Sequence, residues 1–332
     1  MVSRTLSVSK PKVAKRKQPE LIRNAPAYAM CIPSLLYFLL FSYIPMAGIV
    51  LVFKDYNVVD GIFGSPWTDP WYNNFRFFFS SSRVLEVTCN TLILNLFFLV
   101  TSLVCQMGLA ILLNELRISS IKKLSQSIVF LPYFMSWVVV GGIVYSFFSN
   151  EYGVVNSTLR SLGMEPVKWY QSPQYWRTIL IIAHIWKWTG YGSVIYMAAI
   201  MGISMDVFEA SDLDGCNSIQ RFFYITLPMI RPILAYTLIT SIIGGLQMFD
   251  VPQILTNGQG NPDRTSMTLI MFLNSHLKSK NYGMAGALSV YLFIISGILC
   301  FIVYRMTNDN DPDGSKAAAK KRAREERRKG KR

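Results

Sequence analysis

Apolar positions along the chain gather into six long stretches separated by polar connections, at roughly 27–53, 84–113, 127–149, 178–201, 230–249 and 282–304. A helix rises 1.5 Å per residue, so about 20 mostly apolar residues cross the ~30 Å hydrocarbon core of a bilayer. Each stretch is long enough. Inside a helix every backbone polar group finds its partner within the segment, which lipid requires. The pattern predicts an all-α membrane protein with six transmembrane helices over 27–305, flanked by polar segments at 1–26 and 306–332.

Composition agrees with that reading. Of 332 residues, 52% are hydrophobic, above the usual share of a soluble domain. The net charge of +14 crowds at the two ends, where 1–26 and 305–332 hold more than half of all Lys and Arg. Such ends suit anionic membrane lipid better than nucleic acid. With the N-terminus inside, the cytoplasmic pieces carry 23 Lys and Arg and the opposite connections 9, leaving Lys187 within the fourth span. Positive residues are held on the cytoplasmic side, so both termini are predicted there, in a multi-pass membrane protein. The apolar run at 27–53 is too long for a signal peptide and is followed by no small-residue cleavage site, so it is expected to be retained. The tail at 316–332 combines helix formers with dense positive charge, a composition suited to a lipid surface, to a partner, or to a solvated tail.

Candidate chemistry is sparse. The five cysteines are an odd number in apolar or cytoplasmic settings, and His184 and His276 are the only histidines, so neither a disulfide framework nor a metal site is expected. No nucleophile–base pair marks an enzyme. No G-x-x-x-x-G-K-[ST] phosphate loop is present, so ATP and magnesium belong to another chain if they are used. The outer connections, with turn residues and interfacial aromatics at 61–67 and 71–77, are too short for a folded receptor domain.

The connection between the fourth and fifth spans, 202–231, is richer. It reads as two short helices, with Asp206 capping the first, Gly215 closing it in a left-handed turn and Ser218 opening the second. Phe208, Leu213, Phe222, Phe223 and Ile225 give it an apolar face that needs a cover. Glu209-Ala210-Ser211, Gly215 six residues after the Glu, then Ile225 and Leu227-Pro228 resemble the EAA loop of ATP-binding-cassette (ABC) importer permeases. Ser211 stands where that pattern has a second Ala. The resemblance spans most of 30–305, through segments such as QSIVFLPYFMSWVVVGGI (126–143) and IWKWTGYGSVIYMAAIMGI (185–203), and points to the carbohydrate branch with its maltose-type and LplB-like permeases.

That resemblance implies a type I importer (MetI/MalF-like) permease fold. It also implies a second permease subunit, two ATPase subunits gripped through Phe208, Glu209, Ala210, Ser211, Asp214, Gly215, Ile225, Leu227 and Pro228, and an extracytoplasmic solute-binding protein. Its cargo would be a sugar oligomer or polysaccharide fragment, possibly anionic, such as a uronate oligomer.

The flanking spans supply candidate pathway residues. Lys187 falls near mid-bilayer, where an ionisable group costs at least ~2.5 kcal/mol. His184, Trp188 and Tyr191 share its helix face at spacings of three and four. On the fifth span Thr237, Ser241, Gly245 and Met248 share another. Two readings of Lys187 stand at this point: a cation lining the cargo path, or one that snorkels or pairs with the partner permease. An ion-gradient transporter is the alternative class, and it would show internal repeats with intramembrane carboxylates. A permease for a non-sugar cargo is another.

Overall fold

The computed structural model describes residues 24–308 apart from 257, 259 and 261. The tail at 316–332 and most of the 1–26 segment lie outside the described residues. The described residues are helical, with one isolated antiparallel bridge between Lys54 and Trp67. The chain divides into two compact units, 1–50 and 51–332.

The first unit holds helix α1, Ala25–Phe38, followed by a π-helical turn at Leu39–Tyr43 and a short helix Ile44–Met46. The π turn has a local cause. Pro45 lacks an N–H and its ring would clash with the carbonyl four residues back, so the preceding turn widens. Residues 25–47 carry no charged side chain, the composition expected of a helix set in a membrane.

In the second unit the long helix α2, Ser82–Glu115, leads into α3, Ser119–Phe130, and α4, Trp137–Phe148. Helix α5, Pro173–Met201, precedes the short α6, Met205–Leu213. Helices α7, Arg231–Leu246, α8, Leu269–Lys278, and α9, Tyr282–Asn308, complete the order. Among the described residues, three helical stretches are long and apolar enough to cross a membrane: Ala25–Phe53, Ser82–Glu115 and Tyr282–Thr307. The other three expected spans are bent pairs, so the described residues provide up to six.

The third span differs from its expectation. Instead of one helix over 127–149, Ser119–Phe134 and Trp137–Phe148 meet at 97°. A 3-10 turn at Leu131–Phe134 ends the first half, and Ser136 caps the second by accepting from the Val139 N–H at 3.3 Å. Hydropathy registers an unbroken apolar run there, whereas Pro132 and Ser136 decide the backbone.

Three buried apolar clusters hold this unit together. One joins Leu94 and Phe98 of α2 to Val140, Trp176 and Leu180. A second joins Val84 and Val87 to Leu269, Phe272 and Leu288. The third, around Met107, Ala110, Tyr196, Ile200 and Ile230, lies where α5 hands over to the connection at 202–231.

Candidate coupling loop and translocation cavity

The connection folds as two helical segments joined by a glycine turn. Gly215 has φ +73°, a conformation that costs an L-residue about 1–2 kcal/mol. The Gly215 N–H donates to Asp212 O at 3.1 Å and the Cys216 N–H to Ser211 O at 3.0 Å, a Schellman closure of α6. The expected caps move. Ser204, not Asp206, caps α6, its Oγ accepting from the Asp206 N–H at 3.3 Å. Asn217, not Ser218, caps the second segment in a reciprocal box with Gln220, at 2.8 and 3.0 Å. A cap needs non-helical backbone, which Ser204 and Asn217 have, while Asp206 and Ser218 already lie in the first turns. Beyond Arg221 a π turn at Phe222–Thr226 precedes Leu227-Pro228, the same proline-driven widening found before Pro45.

Within this frame the predicted residues separate by environment. Glu209, Ala210, Asp214 and Gly215 are exposed, and Ile225 and Pro228 are half-buried. Ser211 is buried, its hydroxyl donating to Phe208 O at 2.7 Å. A small residue is required there, and serine satisfies its own polarity. The apolar face is divided too: Phe208, Phe222 and Leu227 pack on the bundle around Tyr196 and Ile200. Leu213, 91% exposed, and Phe223, 57% exposed, point outward. An ion pair between Asp212 and Arg221 ties the two segments. The surface left open carries the carboxylates of Asp206, Glu209 and Asp214 beside the apolar Leu213.

Above the connection, α2, α4, α5 and α7 enclose a cavity of about 480 Å³. His184, Trp188, Tyr191, Ser241, Gly245 and Met248 all line it, with Thr237. Its aromatic wall is ordered: His184 stacks on Phe98 with centroids 4.4 Å apart, and Tyr191 on Tyr133 at 4.5 Å and 12°. The facing wall is small and polar, with Thr237, Thr240, Ser241 and Gly244. Flat aromatic faces opposite hydroxyls suit a ring that is apolar on its faces and polar at its edge. Asp250 is the only Asp, Glu, Lys or Arg among the lining residues. Gly245 also serves packing, since a Cβ there would lie 2.5 Å from Asn95 Nδ2, which donates to Ile242 O at 3.1 Å.

Lys187 shares the helix with this wall but does not line the cavity. It is 5% exposed, and its ammonium donates to Pro132 O at 3.3 Å, to Tyr133 O at 2.8 Å and to Met135 O. This placement sets the ammonium against backbone carbonyls rather than in the cavity wall. Phe98, Gln106, Trp137 and Thr240 line the cavity without having been singled out. For Gln106 the signal was available, as a polar residue inside an apolar span; for Trp137 it depended on the unseen bend.

A bundle of apolar helices, a polar and aromatic cavity and a short exposed helix on the connecting loop define a membrane transport subunit. Residues 106–312 match the family described as the binding-protein-dependent transport system inner membrane component, and the chain belongs to that family. It is 30% identical to the Protein LplB of Bacillus subtilis (strain 168) over 295 residues, 89% of this chain and 92% of that protein. It is also 30% identical to the polygalacturonan/rhamnogalacturonan transport system permease protein YteP of the same strain over 301 residues, 90% and 93% of the two chains. A crystal structure of a bacterial alginate ABC transporter in complex with an alginate pentasaccharide-bound periplasmic protein contains a chain of the same fold. Its TM-score is 0.76 at 29% identity, over 87% of this chain and 96% of that one. These relationships favour the ATP-driven importer over the ion-gradient alternative.

Proposed function

We propose that this chain is the permease subunit of an ABC importer that carries a carbohydrate, an oligosaccharide or polysaccharide fragment, inward through the cavity between α2, α5 and α7. The observation that carries the reading is continuity. Helix α5 runs from His184, Trp188 and Tyr191 in the cavity wall to the exposed helix α6, and α7 returns from the same loop to Thr237, Ser241 and Gly245. A partner that pulls on Glu209–Gly215 therefore moves both cavity walls.

In this reading the loop at 202–231 docks in ATPase subunits, which bind ATP and magnesium, and this chain performs no catalysis. Both termini and the loop face the cytoplasm of a bacterial inner membrane. A second, related permease completes the pathway, and a solute-binding protein delivers cargo from outside; the similar alginate transporter is in complex with an alginate pentasaccharide-bound periplasmic protein, which supports such a partner.

The test is purification and reconstitution of the full complex. The expected result is a second permease and two ATPase subunits retained with this chain, and uptake of sugar oligomers that requires ATP hydrolysis. Uptake driven by a proton or sodium gradient without ATP would overturn the reading.

A further inference from the structure

We infer that Lys187 is a positioning residue, a cationic clamp that holds the right-angled break between α3 and α4 and thereby sets the aromatic wall of the cavity. Pro132 O keeps the Met135 N–H at 3.2 Å, whereas the break leaves Tyr133 O in the 3-10 turn and Met135 O just beyond it without the backbone donors a continuing helix would supply. An ammonium has three N–H donors and no acceptor, and the three acceptors of Lys187 are Pro132, Tyr133 and Met135 O. The match is complete in number. It also places a positive charge at the negative end of the α3 segment, where helix dipoles favour a cation.

The approach that allows this reach is built into α5. Gly190, one turn beyond Lys187 on the same face, lies so close to α3 that a Cβ would sit 2.0 Å from Val129 O. The clamp also bears on the cavity. Lys187 Nζ is 5.9 Å from the centroid of the Tyr133 ring and 5.5 Å from that of Trp137. Trp137 lines the cavity, and Tyr133 stacks on Tyr191, which lines it too. Releasing the turn frees two aromatic supports of the wall at once. The effect on cargo rests on the cavity being the cargo path, as proposed above; the clamp itself does not.

The experiment compares the wild-type complex with Lys187→Met, Lys187→Arg and Ile298→Ala in nanodiscs, the last at an exposed position of α9. Hydrogen exchange is followed in peptides spanning 131–140 and in the 202–231 loop. Lys187→Met should accelerate exchange in 131–140 by at least tenfold and leave the loop unchanged. Lys187→Arg, which keeps the charge and the donors, should restore most of the protection, and Ile298→Ala should leave it intact. Unchanged exchange in Lys187→Met overturns the clamp, as does equal acceleration in Ile298→Ala. A separate arm labels Thr240→Cys with a water-soluble thiol reagent. Failure to label would remove the cavity reading while leaving the clamp to stand on the exchange data.

Discussion

The hydroxyls of Tyr196 and Thr237 lie 2.6 Å apart, both residues buried, joining the helix that enters the coupling loop to the helix that leaves it. Thr237 Oγ1 also donates to Leu234 O at 3.0 Å, so its single proton is spent there and Tyr196 is the donor of the pair. The two deletions should therefore differ. Tyr196→Phe removes donor and proton together and should cost about 1 kcal/mol. Thr237→Val strands a buried phenol and should cost about 1–3 kcal/mol. Thermal unfolding of the purified complex checks the order, and equal effects would refute the assigned direction.

At Gly215 a Cβ meets nothing within 4 Å, so any effect of substitution is conformational rather than steric. Gly215→Ala should cost about 1 kcal/mol through the left-handed backbone, and Gly215→Asn less. Membrane insertion should survive both. Co-purified ATPase should fall in the order Gly, Asn, Ala; an alanine variant that retains its ATPase fully would argue against a coupling role for this turn.

Two glycines make an opposed pair. Alanine at Gly190 places its Cβ in the Val129 carbonyl, whereas at Gly244, which lines the cavity, a Cβ meets nothing within 4 Å. Gly190→Ala is expected to lower folded yield and melting temperature sharply, by more than ~2 kcal/mol as overpacking against backbone does. Gly244→Ala should fold normally and act only on transport. Size-exclusion profiles and uptake by the same preparations separate the two.

On helix α8, His276 packs edge-on against Phe77 and Phe272. Burial first, and the Arg83 charge second, hold its imidazole below the ordinary 6.5. A histidine with a lowered folded pKa is kept neutral, so the unfolded chain takes up the proton first as pH falls through 6.5. Stability should decline on the acid side of that value, and His276→Phe should flatten the slope. Melting temperatures between pH 5 and 7.5 provide the check.

Much of this was legible in the chain. The long apolar runs located the candidate membrane helices, and the Glu209–Pro228 spacing located the short helix α6 and its turn at Gly215. Side chains on one face of α5 and α7 did converge on one cavity. What hid was local and geometric. Hydropathy sums over a window and is blind to direction, so the bend at 134–137 left no trace beyond Pro132 and Ser136. The caps fell at Ser204 and Asn217, before the first candidates, because a cap is defined by backbone angles rather than by residue type. Lys187 was conspicuous, yet its role depended on carbonyls exposed by that same bend.

The donor for the carbonyls of Pro132, Tyr133 and Met135 lies 52 to 55 residues further along the chain. A ribosome making this protein therefore emits the turn well before the side chain that satisfies it. Until residue 187 enters the bilayer, the carbonyls of Tyr133 and Met135 stay with water or with the insertion machinery, while Pro132 O has the Met135 N–H at 3.2 Å. The third span is thus not an independent unit of membrane insertion: its final shape waits for the fourth, which makes the order of synthesis part of the fold.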